Sequence, residues 1–225
     1  MTSNPPTRMS TDTDNDAARA RRVQILAAEH WSLLATRGMT WNEIFSRTGT
    51  FLTVLSATVV AISLVAQATG FGGGFQVFAL VVLPVVLLLG LATFLRLVEA
   101  DIEDAWLVTG MNRLRHAYID LEPELEQYFV ASHHDDPAGI LQTYSFRSSV
   151  GVSHLLSGSP VIVGTIDAVL TEVLAAIGCS ALNAEVPLQV AVGSLAGFAT
   201  ASLLGFMGVR RIRRVSRNYR PLFPE

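Results

Sequence analysis

Polar and apolar residues alternate along this chain in long blocks. Four long apolar stretches run roughly from Phe51 to Ala68, Phe75 to Leu95, Val161 to Leu182 and Val186 to Val209. Each is near the ~20 residues that an α-helix needs to cross ~30 Å of hydrocarbon. Around them the pattern turns amphipathic at helical spacing. Val23, Leu26, His30, Leu33 and Leu34 share one side of a helix from about Ala17 to Arg37, which Asp16 can cap and Gly38 can end. Thr40-Trp41-Asn42-Glu43 then reads as a capping box, with Met39 and Ile44 as its hydrophobic staple, so the first spanning helix begins near Trp41. Trp41 belongs at the lipid–water interface, where an amphipathic ring is favoured.

The connections are equally readable. Gly70-Phe71-Gly72-Gly73-Gly74 and Asn183-Ala184-Glu185 are too short for anything but antiparallel returns. Pro84 lies midway along the second span and is expected to kink it. Beyond that span, Leu95, Val98, Ile102, Ala105, Trp106 and Thr109 prolong the seam in steps of three and four toward Gly110 and on to Tyr118. Glu122-Pro123 restarts a short helix toward Phe129. Asp136-Pro137 is a cap followed by a first-turn proline, opening an amphipathic helix with Ile140, Leu141, Tyr144 and Val150.

The predicted fold is therefore all-α: four transmembrane helices as two antiparallel hairpins, with a helical cytoplasmic insert between spans 2 and 3. The expected segments are a disordered tail (1–15), an amphipathic helix (16–38), hairpin 1 (39–96), an acidic helical module (97–158), hairpin 2 (159–209) and an arginine-rich tail (210–225). No secretory signal is expected ahead of the first span.

Composition supports lipid as the solvent. Half the residues are hydrophobic and 16% are charged, against about 25% charged in soluble domains. All sixteen basic residues are arginine, which with abundant Ala, Gly and Val points to a GC-rich bacterial genome. Every arginine lies outside the spans, and none lies in either short connection. Arginine is retained on the cytoplasmic side, so both termini and the middle loop are expected there, in a multi-pass protein of the cytoplasmic membrane. The rule also rescues the third span, whose Asp167 and Glu172 weaken its insertion by ~2.5–3.5 kcal/mol for a central acid. Without that span, the fourth would leave six arginines outside.

Charge separates the cytoplasmic pieces. The 97–158 module holds ten acids against three arginines, a formal −7, whereas the tail holds six arginines against one acid, a formal +5. Arg210, Arg211, Arg213, Arg214 and Arg217 are thus placed to meet anionic lipid head groups or the acidic module. Nucleic acid is not an expected partner, because the whole chain is −3 and no aromatic platform accompanies the arginines.

Gly193, Gly197, Ala201 and Gly205 recur every fourth residue in the fourth span, a small-residue ladder that admits a neighbouring helix closely. Gly164, Ala168, Ala176 and Ser180 form its counterpart in the third, with Glu172 on the missing rung. Glu172 is therefore expected inside a helix contact, either protonated, or hydrogen-bonded to Gln67, Gln189 or Thr171, or facing a wet cavity. Asp167, ~140° round the helix, is expected to reach Arg210 or Arg211. A homo-oligomer joined through the third and fourth spans follows from the ladders.

Catalytic chemistry finds little footing. The glycine-rich return lacks the Lys-Ser/Thr of a phosphate loop, no hydrolase, zinc-protease or dinucleotide fingerprint occurs, and the lone Cys179 lies in an apolar span with no activating base. His133-His134-Asp135-Asp136 holds ligand-type residues, extendable by Asp120, Glu124 and Glu126, but capping accounts for Asp136 and no metal or cofactor is expected. Met111-Asn112-Arg113-Leu114-Arg115, with Pro123-Glu124-Leu125-Glu126-Gln127-Tyr128-Phe129 and the Asp135-Asp136 pair, resembles uncharacterised four-span bacterial membrane proteins. That resemblance implies the two-hairpin architecture with a helical cytoplasmic insert and no activity. The expectation is a non-catalytic scaffold that self-associates or binds a cytoplasmic protein partner. The rival is a small oligomeric ion channel or ion-coupled transporter using Glu172.

Overall fold

A computed structural model of the chain describes residues 9–145 and 158–225. Every regular element among them is helical: α1 (Met9–Thr69), α2 (Gly73–Leu121), a 3-10 helix (Pro123–Tyr128), α3 (Pro137–Ser145), α4 (Ser159–Ala181) and α5 (Val186–Asn218). Four of these, α1, α2, α4 and α5, are long and apolar enough to cross a membrane. Within the described residues the chain divides into two compact units, an apolar one of 40–103 and 158–219 and a polar one of 9–39, 104–145 and 220–225.

One boundary differs from expectation. Gly38 does not end a helix and Thr40–Glu43 does not start one, since α1 runs unbroken from Met9 through both. Residues 9–15, expected to be irregular, belong to the same helix. Gly38 is exposed and a helical glycine costs only ~1 kcal/mol relative to alanine. Leu33, Arg37, Thr40 and Ile44 meanwhile keep inward-facing steps of three and four across it. With the backbone donors already met by carbonyls one turn back, Glu43 has no capping to do and pairs with Arg96 instead. The expected break nonetheless coincides with the boundary between the two units at 39/40. α2 likewise continues through Pro84 without interruption.

The apolar unit is organised around α2. Phe75, Ala79, Leu83, Val86, Phe94, Leu97 and Val98 form its buried side, joined by Ile44 and Phe51 of α1, Val163 and Leu170 of α4 and Leu204 of α5. The opposite side of α2 presents Val77, Val81, Val85 and Leu88, each more than three-fifths exposed. Leu195 and Phe198 on α5 are similarly bare. In water each such side chain would forgo about 1.5–3 kcal/mol of burial; in lipid it is solvated. Hydroxyls follow the same logic: Thr50, Thr53, Ser56, Ser63, Thr93, Thr165 and Thr171 each donate to the carbonyl four residues back, at 2.8–2.9 Å. A polar group in hydrocarbon must find its partner within the helix. Both returns turn on one left-handed residue, Gly70 (φ 65°) and Asn183 (φ 59°), the two residue types that adopt that conformation most readily.

Candidate functional site

The α4–α5 seam contains the residues singled out by the small-residue ladders. A β-carbon on Gly193 would lie 2.9 Å from the Glu172 carbonyl oxygen, and one on Gly197 would lie 3.1 Å from the Ala168 carbonyl and 3.1 Å from Glu172 Cβ. These two rungs let α4 and α5 touch backbone to side chain. The lower rungs do not follow. Gly205 meets nothing within 4 Å and Ala201 is exposed. The reason is geometric, because four-residue steps advance ~400° and each rung rotates ~40° off the seam. Contact passes instead to Leu204, seven residues beyond Gly197, which is buried and approaches Gly164. Gly164 in turn accommodates the Phe94 ring, 3.1 Å from where its β-carbon would be.

Glu172 is half-buried in this seam, and its Oε1 accepts a hydrogen bond from Ser194 at 3.3 Å. None of the three anticipated partners is used: Thr171 donates to the Asp167 carbonyl, Gln189 to the Ala184 carbonyl, and Gln67 is exposed. Asp167 departs further from expectation. It is fully buried, and neither carboxyl oxygen has a hydrogen-bond partner among the described residues. Rather than reaching Arg210 or Arg211, it faces α2 at Gly90, where an added β-carbon would be 1.8 Å from Oδ1 and 3.0 Å from the Phe51 ring. Arg211 pairs with Glu99 at 2.7 Å. Gly90 was not legible as a partner because nothing local distinguishes it from other glycines in spans.

Ions gather at one end of the apolar unit. Arg96 donates to both Glu43 oxygens (3.0 and 2.8 Å) and both Glu103 oxygens (2.8 and 3.2 Å), while Arg47 reaches Glu43 at 2.8 Å. The Arg96 and Arg47 hydrogen bonds hold the Glu43 carboxyl at about 2, well below the usual carboxylate range.

The polar unit holds a hub that sequence reasoning missed. Asp135, with no exposure, accepts from Arg113 Nε (2.8 Å) and from the backbone N–H groups of Leu222 (2.9 Å) and Phe223 (2.8 Å). Its own N–H donates to the Phe223 carbonyl at 3.2 Å. The Phe223 ring stacks on His116 at 4.0 Å. Within this unit the tail's end is therefore held by backbone and an aromatic ring, not by arginine. Phe223 between two prolines was the available signal.

Beside it, buried Asn112 donates to the His134 carbonyl (2.7 Å) and accepts from Arg115 (2.7 Å) and Thr143 (3.0 Å). Asp104 takes Arg37 at 2.8 Å and the Tyr144 hydroxyl. Asp136 caps α3 by accepting the Gly139 N–H at 2.9 Å, as its position before Pro137 implied. The Val150 end of that expected helix lies outside the described residues. Burial, followed by the charge of His134, holds the His133 imidazole pKa below its ordinary value. With Asp135 and Asp136 so engaged, no group of three or more metal-binding side chains converges among the described residues.

Arg210, Arg213, Arg214 and Arg217 are exposed along α5 and, with Phe206 and Val209, line one open groove. Compared with protein-family models, curated proteins and solved structures, the chain matches none.

Proposed function

We propose that this chain is a non-catalytic multi-pass protein of the bacterial cytoplasmic membrane, with both termini cytoplasmic, that acts as a self-associating, partner-binding scaffold. One observation carries the reading. The polar unit has a hydrogen-bonded core built on Asp104, Asn112 and Asp135, yet displays Ile25, Trp31, Trp106, Tyr128 and Val130 at 46–76% exposure. A unit stabilised from within by hydrogen bonds while large apolar side chains remain outside is suited to binding another protein. Self-association draws support from Ala201 and Gly205, the small rungs left open when the α4–α5 contact passes to Leu204.

The rival reading, an ion channel or ion-coupled transporter, rests on Glu172. Its half-buried place against Gly193 and Gly197 favours a packing role. Reconstitution in liposomes separates the two. Scaffolding predicts no proton or cation flux, together with oligomers in nanodiscs that dissociate in Gly205→Leu. A flux abolished by Glu172→Gln, or a chain that stays monomeric at every lipid ratio, would reject it.

A further inference from the structure

The chain has five arginines between 210 and 217, and they are not equivalent. Arg211 pairs with Glu99 at 2.7 Å. The other four, at steps of three, one and three residues, fall within an arc of about 100° on α5 and extend over about 10 Å of its length. Phe206 shares that arc and Val209 borders it, both exposed, with the Arg210 guanidinium 5.9 Å from the Phe206 ring centre. Among the described residues none of the four arginines pairs with a carboxylate. The result is an open groove in which four guanidinium groups begin where the apolar span ends, bordered on the span side by an aromatic and an aliphatic side chain.

Topology alone asks only for positive charge on that flank and is indifferent to which side of the helix carries it. Confinement to one arc, continuous with exposed apolar residues, matches a ligand with an anionic head and an acyl body. Guanidinium offers a planar fork for phosphate oxygens, while Phe206 and Val209 meet the first carbons of the chains.

We propose that Arg210, Arg213, Arg214 and Arg217, with Phe206 and Val209, form a binding site for the phosphate head group of an anionic phospholipid. Each arginine near a charged bilayer surface is worth about fivefold in affinity.

The test uses the full chain, purified in mild detergent, stripped of lipid and titrated under native mass spectrometry with phosphatidylglycerol, phosphatidylcholine or inorganic phosphate. Phosphatidylglycerol is expected to bind saturably and phosphatidylcholine to remain at background. Arg213→Gln/Arg214→Gln should weaken phosphatidylglycerol by roughly 25-fold, whereas the charge-matched pair Arg21→Gln/Arg22→Gln on α1 should leave it within about twofold. If the first double variant fails to fold, Arg217→Gln alone should lose about fivefold. Equal binding of phosphatidylcholine, equal loss in the α1 pair, or inorganic phosphate binding as tightly and displacing the lipid would each overturn the proposal.

Discussion

Asp135 and Asp167 are both sealed from solvent, one in each unit, and the chain treats them in opposite ways. Asp135 is surrounded by donors: a guanidinium and two backbone N–H groups. Asp167 has none among the described residues and owes its place to an absent side chain, that of Gly90. The polar unit stabilises a buried carboxylate by matching its charge and uses the match to hold the chain's last residues. In the apolar unit the hydroxyls of Thr93, Thr165 and Thr171 are committed to their own helix carbonyls. That unit contributes space instead.

The sharpest way to break this comparison is to remove each carboxylate. Asp135→Ala removes the acceptor of one Arg113 hydrogen bond and of two backbone N–H groups and is expected to destabilise the polar unit by about 3 kcal/mol, since each buried donor that loses its acceptor costs about 1–3 kcal/mol. Loss of order in 220–225, read by proteolysis of the carboxyl end, should accompany it. Asp167→Ala removes a group with no partner, so thermal unfolding in nanodiscs should stay level or improve by about 1 kcal/mol. Comparable losses at both positions would mean that Asp167 is held by contacts equivalent to those of Asp135.

Next in size is Gly90→Ala. Its added methyl collides with the Asp167 carboxyl and the Phe51 ring, and overpacking of this kind costs about 1–3 kcal/mol. The helical preference for alanine returns up to ~1 kcal/mol, so the net loss is smaller. Combining it with Asp167→Ala should recover most of that loss, and a strictly additive double variant would reject the niche.

A third test contrasts two glycines on one helix. Gly197→Leu drives a side chain into the Ala168 carbonyl and Glu172, at about 1–3 kcal/mol. Gly205→Leu enters open space and should leave the unfolding temperature of the monomer unchanged. Equal effects would restore the full four-residue ladder as the contact.

That contrast also marks how far the sequence could be read. The four helices long and apolar enough to cross a membrane, the continuation of α2 past the second apolar stretch, the short helix after Glu122-Pro123 and the Asp136 cap all follow from local composition and spacing, and they appear as expected. The α4–α5 contact was half legible: Gly193 and Gly197 were identifiable as small residues, but the slow rotation of the seam onto Leu204 emerges only when two helices are laid together. What stayed hidden were pairings of long separation. Nothing near Asp135 announces Phe223, and nothing near Asp167 announces Gly90. The capping signal at Thr40–Glu43 misled for the same reason, since the distant Arg96 competes for the carboxylate that a local reading assigns to the backbone.

Glu43 supplies the smallest and most specific prediction. The Arg96 and Arg47 hydrogen bonds lower its folded-state pKa from 4.5 to about 2. A depressed carboxyl contributes stability that is fully present above the unfolded value and disappears as pH falls through the folded one. The unfolding temperature of the apolar unit should therefore decline between roughly pH 4.5 and pH 2 by an increment that Glu43→Gln removes. Glu43 is accessible and its pairs are screened, so the increment is small and shrinks further in salt. The buried Asp135 ion pair should be far less sensitive to the same salt. If salt weakens the two equally, then the depth at which each carboxylate sits does not govern how it is held, and the distinction between the units fails at its electrostatic root.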